Sequence, residues 1–170
     1  MGPTLVSVAS AGVTFYGVRG STPFSASTHV GFGGNTCCAV MDIPDENPVI
    51  LDMGSGLFAY SRSLGDCALE ATVLLTHLHW DHVAGLPFFS PVLCPGGVLD
   101  IYGPPDEGMT LEEAIRALIR PPFFPVTIDD FAGVLRIHDL WCDDLVVGSA
   151  KIRARPVPHT SATTGYRVEV

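Results

Sequence analysis

One stretch limits what this chain can become more than any other. Ala71-Thr72-Val73-Leu74-Leu75-Thr76 is apolar or β-branched without a break, the pattern of a strand buried on both faces, and it runs straight into His77-Leu78-His79-Trp80-Asp81-His82. Side chains of extended backbone alternate, so His77 and His79 point to one side and can hold one metal ion between them. Asp81 and His82 follow as the chain turns towards its next segment, where they can face a second ion. The competing reading is a group of core imidazoles satisfied by hydrogen bonds. Burying three imidazoles and a carboxylate together without a metal, however, leaves many polar atoms to satisfy.

Two histidines leave a zinc site one protein ligand short of three. His159, in Pro156-Val157-Pro158-His159-Thr160 at the end of a strand, is the natural third. His29 and His138 have no such company and read as ordinary loop and strand residues.

The remaining chain supplies a scaffold for such a site. Its 170 residues suit one domain, long enough to bury a core without staples. Strands are expected over 13–18, 36–41 and 49–53, the last two forming a hairpin with a longer connection, and over 71–76, 98–102, 134–140, 144–147, 150–157 and 165–170. Gly54-Ser55-Gly56 opens a helix that runs through Leu64. Leu111, Ala114, Ile115 and Leu118 trace one face of another, with Thr110 as cap, Glu113 three residues on, and Pro121-Pro122 as the stop.

Composition excludes several function classes. Nine Lys+Arg against eighteen Asp+Glu give a formal charge of −9. No basic stripe is available to displace counterions, so nucleic acid is not an expected partner, and an anionic substrate would need a local positive centre. Charged residues make up only 16% of the chain, which speaks against disorder. Five cysteines, with Cys37 and Cys38 adjacent and no C-x-x-C pair, indicate neither a disulfide framework nor a zinc ribbon and fit the reduced thiols of a cytosol. There is no basic-then-apolar leader, and no apolar run approaches the ~18 residues of a membrane span, so the expected setting is cytoplasmic, away from membranes.

Several further segments bear on the identity of the fold: Gly17-Val18-Arg19-Gly20-Ser21-Thr22-Pro23, Gly33-Gly34-Asn35-Thr36, Leu51-Asp52-Met53-Gly54-Ser55-Gly56, Leu86-Pro87-Phe88-Phe89, Ile101-Tyr102-Gly103-Pro104 and Gly165-Tyr166-Arg167-Val168-Glu169. With the histidine motif they resemble the metallo-β-lactamase-fold hydrolases, in their phosphodiesterase-like branch, over nearly the whole chain. The resemblance implies an α/β (α+β) fold, a four-layer αββα sandwich, with two Zn²⁺ ions at the ends of the central strands and Mn²⁺ or Fe²⁺ as alternatives. It places His77, His79 and His159 on the first ion and Asp81 and His82 on the second. It gives catalytic roles to Asp81, His82 and Asp52, the last as a buried strand-end carboxylate that orients the site; read from residue type alone, Asp52 is equally a turn-forming aspartate.

The implied activity is attack by metal-activated hydroxide on a small-molecule ester, a small phosphodiester or cyclic nucleotide, with thioester or lactone hydrolysis as the alternative and a catalytically weak metal-binding chain as a third reading. Arg19 could contact phosphate or serve its own loop. Complete members of the family continue beyond the Tyr-Arg strand, bringing a bridging aspartate and a last histidine. Asp100, Asp129, Asp130, Asp139, Asp143 and Asp144 all precede His159 and match neither role. Residues 1–170 are therefore expected to form a metallo-β-lactamase-like domain truncated after its first half, incomplete on the C-terminal side, with an uncovered edge through which the chain associates with itself.

Overall fold

A computed structural model describes residues 10–65 and 68–170. The apolar run becomes β4 (Glu70–Leu74), whose last four residues are all buried. A strand with two buried faces belongs inside a sheet, and β4 lies fourth of six. The order is β1 (Gly12–Gly17), β2 (Cys38–Asp42), β3 (Val49–Leu51), β4, β5 (Val98–Gly103), β6 (Val134–Asp139). Strands β1 to β3 pair antiparallel, which includes the expected hairpin; β3 to β6 pair parallel.

Parallel neighbours require crossovers. These carry α1 (Gly56–Leu64), then α2 (Trp80–Val83) and α3 (Ser90–Leu93), then α4 (Leu111–Leu118). All of them bury side chains against one face of the sheet. Leu57, Tyr60, Val83, Val92, Leu111 and Ile115 join Val40, Ile50, Val73 and Ile101 in the larger core cluster. Helix α4 starts as its sequence dictates: the Thr110 hydroxyl accepts from Glu113 N at 3.2 Å, and the Glu113 carboxylate accepts from Thr110 N at 2.8 Å.

The opposite face carries a second, antiparallel sheet of β7 (Asp144–Val147), β8 (Ala150–Pro156) and β9 (Thr164–Glu169). Alternation along β8 turns Ala150, Ile152 and Ala154 inward and leaves Lys151, Arg153 and Arg155 exposed. Ile152 and Ala150 meet Val49 and Leu74 in a smaller cluster between the sheets. Tyr166 crosses the gap and donates its hydroxyl to Leu75 O at 2.7 Å.

Helices, six-stranded sheet and three-stranded sheet are thus three of the sandwich's layers; among the described residues no helix covers the outer face of the second sheet. Val13 and Phe15 on edge strand β1 are 48% and 69% exposed. No helix of the described residues is long and apolar enough to cross a membrane.

The expected strand over 71–76 stops two residues early. Thr76 N donates to Asp52 Oδ1 at 2.8 Å rather than to a neighbouring strand. A side-chain acceptor has ended the ladder, and the histidines begin where it ends.

Candidate metal centre

Asp52 leaves β3 with φ +63, a left-handed conformation that aspartate tolerates better than most residues. This aims its carboxylate across the top of β4. Both oxygens accept from the Thr76 hydroxyl, at 2.9 and 3.1 Å, and Oδ2 also accepts from His82 Nδ1 at 2.8 Å. A hydroxyl has one proton, and here it goes to the carboxylate. The Thr76 oxygen, 2.9 Å from His77 Nδ1, is therefore the acceptor of that contact, so His77 carries its proton on Nδ1 and presents a bare Nε2. His82, donating from Nδ1 to Asp52, likewise presents Nε2, which lies 3.4 Å from Asp81 Oδ2.

His77, His79 and His159 converge, with ring centroids 4.4 Å (77–79), 4.7 Å (77–159) and 5.1 Å (79–159) apart. One ligand nitrogen from each lies within 4.8 Å of the others. Three imidazole nitrogens so grouped suit a tetrahedral ion with Zn–N distances of about 2.0–2.1 Å. His77 is buried, while His79 and His159 open to solvent. Burial, reinforced by the neighbouring imidazoles of His82 and His79, pushes His77 down to about 4, so it is neutral at pH 7, the form a metal ligand needs. On His82 burial acts in the same direction, but the hydrogen bond and charge of Asp52 outweigh it and raise the imidazole above its usual value. Asp81 is likewise opposed by burial, yet falls below the carboxylate range because of backbone N–H donors, Ser21 first among them, and the nearby imidazoles.

The position of Asp81 and His82 is set by close backbone packing. Met53 N donates to His82 O and Gly85 N to Met53 O, both at 2.8 Å, and Gly54 N donates to Cys37 O at 2.8 Å. A Cβ on Gly54 would collide with the Asp81 and Cys37 carbonyl oxygens, so only glycine permits this approach. The 17–36 loop closes over the other side. Ser21, at φ +68, donates its backbone N–H to Asp81 Oδ2 at 2.7 Å. Arg19 donates from Nε to Thr22 O at 2.8 Å and lies over the Phe24 ring, so it serves its own loop.

Every residue that the sequence assigned to the site, Asp52, His77, His79, Asp81, His82 and His159, lies in this one cluster. His29 and His138 do not. His29 Nδ1 is 3.0 Å from the Thr28 hydroxyl, and His138 stacks on Tyr102 at 4.5 Å beside Asp100. Sequence reasoning missed Thr76, Ser21 and Ser161, whose hydroxyl lies 3.4 Å from His79 Nε2. A hydroxyl at the last position of the expected strand was a usable signal for Thr76. Ser21 acts through its backbone and left none.

Comparison with known proteins bears on the family and the fold. Residues 51–170 match the beta-lactamase superfamily domain. An uncharacterised protein of Mycobacterium tuberculosis is 28% identical over 169 residues, covering 95% of this chain and 56% of its own length. The ribonuclease Z of Synechococcus sp. is 25% identical over 162 residues, covering 92% of this chain and 47% of its own. The chain spans about half the length of the curated relatives it matches. Among solved structures, a diphosphatase of the PhnP family superposes with a TM-score of 0.63 at 18% identity, over 93% of this chain and 62% of that one. The metallo-beta-lactamase fold protein YhfI of Bacillus subtilis gives 0.61 at 20% identity, over 94% and 58%.

Proposed function

The chain belongs to the beta-lactamase superfamily, and from that premise we propose that it is the N-terminal part of a metal-dependent hydrolase acting on a small phosphodiester. The observation that carries this reading is the convergence of three imidazole nitrogens within 4.8 Å of one another. His77, His79 and His159 would hold the first ion, and Asp81 with His82 would contribute to the second; Zn²⁺ suits this nitrogen-rich set, with Mn²⁺ or Fe²⁺ as alternatives. Such ions supply Lewis acidity and bring the pKa of bound water towards neutrality.

The chain's own residues do the positioning. Thr76 fixes the His77 tautomer, Asp52 turns His82 so that Nε2 faces Asp81, and Ser21 N–H holds the Asp81 oxygen, Oδ2, that lies beside His82 Nε2. The ribonuclease Z relatives favour a phosphodiester bond over a carboxyl ester. The net charge of −9 favours a small substrate over a polymeric nucleic acid. Free thiols at Cys37, Cys38, Cys94 and Cys142 support a cytoplasmic setting.

Elemental analysis tests the ligand set. His77→Ala, His79→Ala and His159→Ala should each lose the tighter-bound ion, and His138→Ala should keep it; full metal content in any of the first three would refute the assignment. Turnover of bis-p-nitrophenyl phosphate, a cyclic nucleotide, a thioester and a lactone in added Zn²⁺ or Mn²⁺ tests the substrate class, and hydrolysis of the carboxyl compounds alone would overturn the phosphodiester reading in favour of thioester or lactone hydrolysis.

A further inference from the structure

The carbonyl of Leu75 ought to be short of a donor. Strands β4 and β5 run parallel, and Leu75 N donates to Tyr102 O at 2.8 Å, so the next bond of the ladder would bring the N–H of residue 104 to Leu75 O. Residue 104 is proline and has no N–H. The Tyr166 hydroxyl takes its place from the other sheet, donating to Leu75 O at 2.7 Å, while Tyr102 O, already served by Leu75 N, lies 3.4 Å away. We propose that Tyr166 is a positioning residue of the metal centre: its bond across the seam sets how far the strand pair bearing His159 stands from His77 and His79. The proposal rests on the metal-dependent hydrolase reading above.

Three observations support it. The first is place. Leu75 O accepts from Tyr166, and Thr76 O accepts from Thr164 N at 2.9 Å, so β9 is fastened to two successive residues just where the histidine segment leaves the sheet. The second is the stiffness of what lies between. Val157 N donates to Thr163 O at 3.0 Å, which closes the connection carrying His159, and Thr163 Oγ1 donates to Ser161 O at 3.0 Å inside it. Pro156 and Pro158 fix two of the backbone φ angles that lead to His159. A displacement of β9 is therefore passed on to His159 instead of being absorbed by the loop.

The third is the kind of contact. Ala150 and Ile152 against Val49 and Leu74 press the sheets together, but apolar contact is non-directional and permits sliding. A hydrogen bond weakens steeply as its angle closes, so it fixes height as well as separation. Little sliding is tolerable here. The His159 ring centroid stands 4.7 Å from that of His77 and 5.1 Å from that of His79, and zinc takes imidazole nitrogens at about 2.0–2.1 Å. Burial raises the Tyr166 phenol above its ordinary value, so at neutral pH it keeps its proton and donates.

Tyr166→Phe in the full chain keeps the ring and removes the bond. Zinc affinity, measured by competition with a chelating dye, should fall about tenfold, and the visible spectrum of the cobalt(II)-loaded chain should shift as water replaces one imidazole. Adding Pro104→Ala separates position from stability, since it returns a ladder N–H to Leu75 O. In that double variant the urea midpoint should recover towards the parent's while zinc affinity stays low. Ile152→Val weakens the same seam without touching the bond, and it should keep the parental zinc affinity and cobalt spectrum. Parental affinity and spectrum in Tyr166→Phe overturn the proposal, as does their return in the double variant or an equal loss in Ile152→Val. In each of these cases the parent still binds zinc, so the hydrolase reading stands. A parent chain that takes up no zinc defeats that reading, and the proposal falls with it.

Discussion

Thr76 has one hydroxyl proton and gives it to Asp52, which leaves its oxygen to receive the proton of His77. Thr76→Val keeps the shape and removes both contacts. It should cost roughly 1–3 kcal/mol, the range for a buried acceptor left short of a donor, and should weaken zinc binding about 10- to 100-fold; Thr76→Ser should retain both properties. Urea unfolding and competition with a chelating dye measure the two effects, and a valine variant equal to the parent in both would remove Thr76 from the site. Cys38 offers a pH test. Burial, aided by the charge of Asp52, pushes its thiol up to about 12. A raised thiol pKa favours the neutral form, so at pH 8 about one molecule in ten thousand carries the reactive thiolate. Iodoacetamide at pH 8 should label exposed Cys142 first and Cys38 only after unfolding; early labelling of Cys38 in the native protein would contradict this. At this scale residue type was informative where the side chain itself does the chemistry, as for the four histidines and two aspartates. It was silent where a partner arrives from far along the chain, since Asp52 lies 24 residues before Thr76 and Ser21 lies 60 before Asp81.

The segment that leaves β4 and enters helix α2 carries most of the cluster, and Gly54 decides how closely α2 approaches. In Gly54→Ala the new Cβ meets backbone oxygens of Asp81 and Cys37, which cannot swing aside as a side chain can. Overpacking of this kind costs about 1–3 kcal/mol, and the displaced Asp81 should weaken the second ion before the first. Thr110→Ala, at the cap of α4, should cost about 1 kcal/mol and leave metal content unchanged. Chemical denaturation with a metal titration separates the two, and equal metal loss in both variants would mean that Gly54 acts only through global stability. The helix over α4 was legible because period, cap and stop agreed. The strand before His77 was legible in its apolar run but not in its end, because the ladder stops at a carboxylate supplied by the tip of β3. The short helix α2 left no periodic signal, since four residues make barely one turn.

The whole molecule is a wide sheet with helices on one face and a narrower sheet on the other. Val13 and Phe15 lie on an edge strand, open to solvent, so we expect the chain to self-associate at high concentration and Phe15→Lys to return it to the monomer, as judged by sedimentation; an unchanged distribution would place the contact elsewhere. The layered sandwich was implied by the family resemblance alone; residue pattern could not give the pairing of sheets, because it depends on contacts between residues a hundred positions apart. That pairing is thinly supported. Among the described residues, five buried ones form the cluster between the sheets, against twenty on the helical side. His77 and His79 follow β4 in the first sheet, and His159 lies between β8 and β9 of the second, so an ion shared by the three would rivet one sheet to the other across their weakest seam. Binding to the native state alone adds about 2.7 kcal/mol at a hundredfold excess over Kd. Removal of metal should therefore speed amide hydrogen exchange in β8 and β9 well before it reaches β4, making the ion a fastener of the fold as well as a reagent.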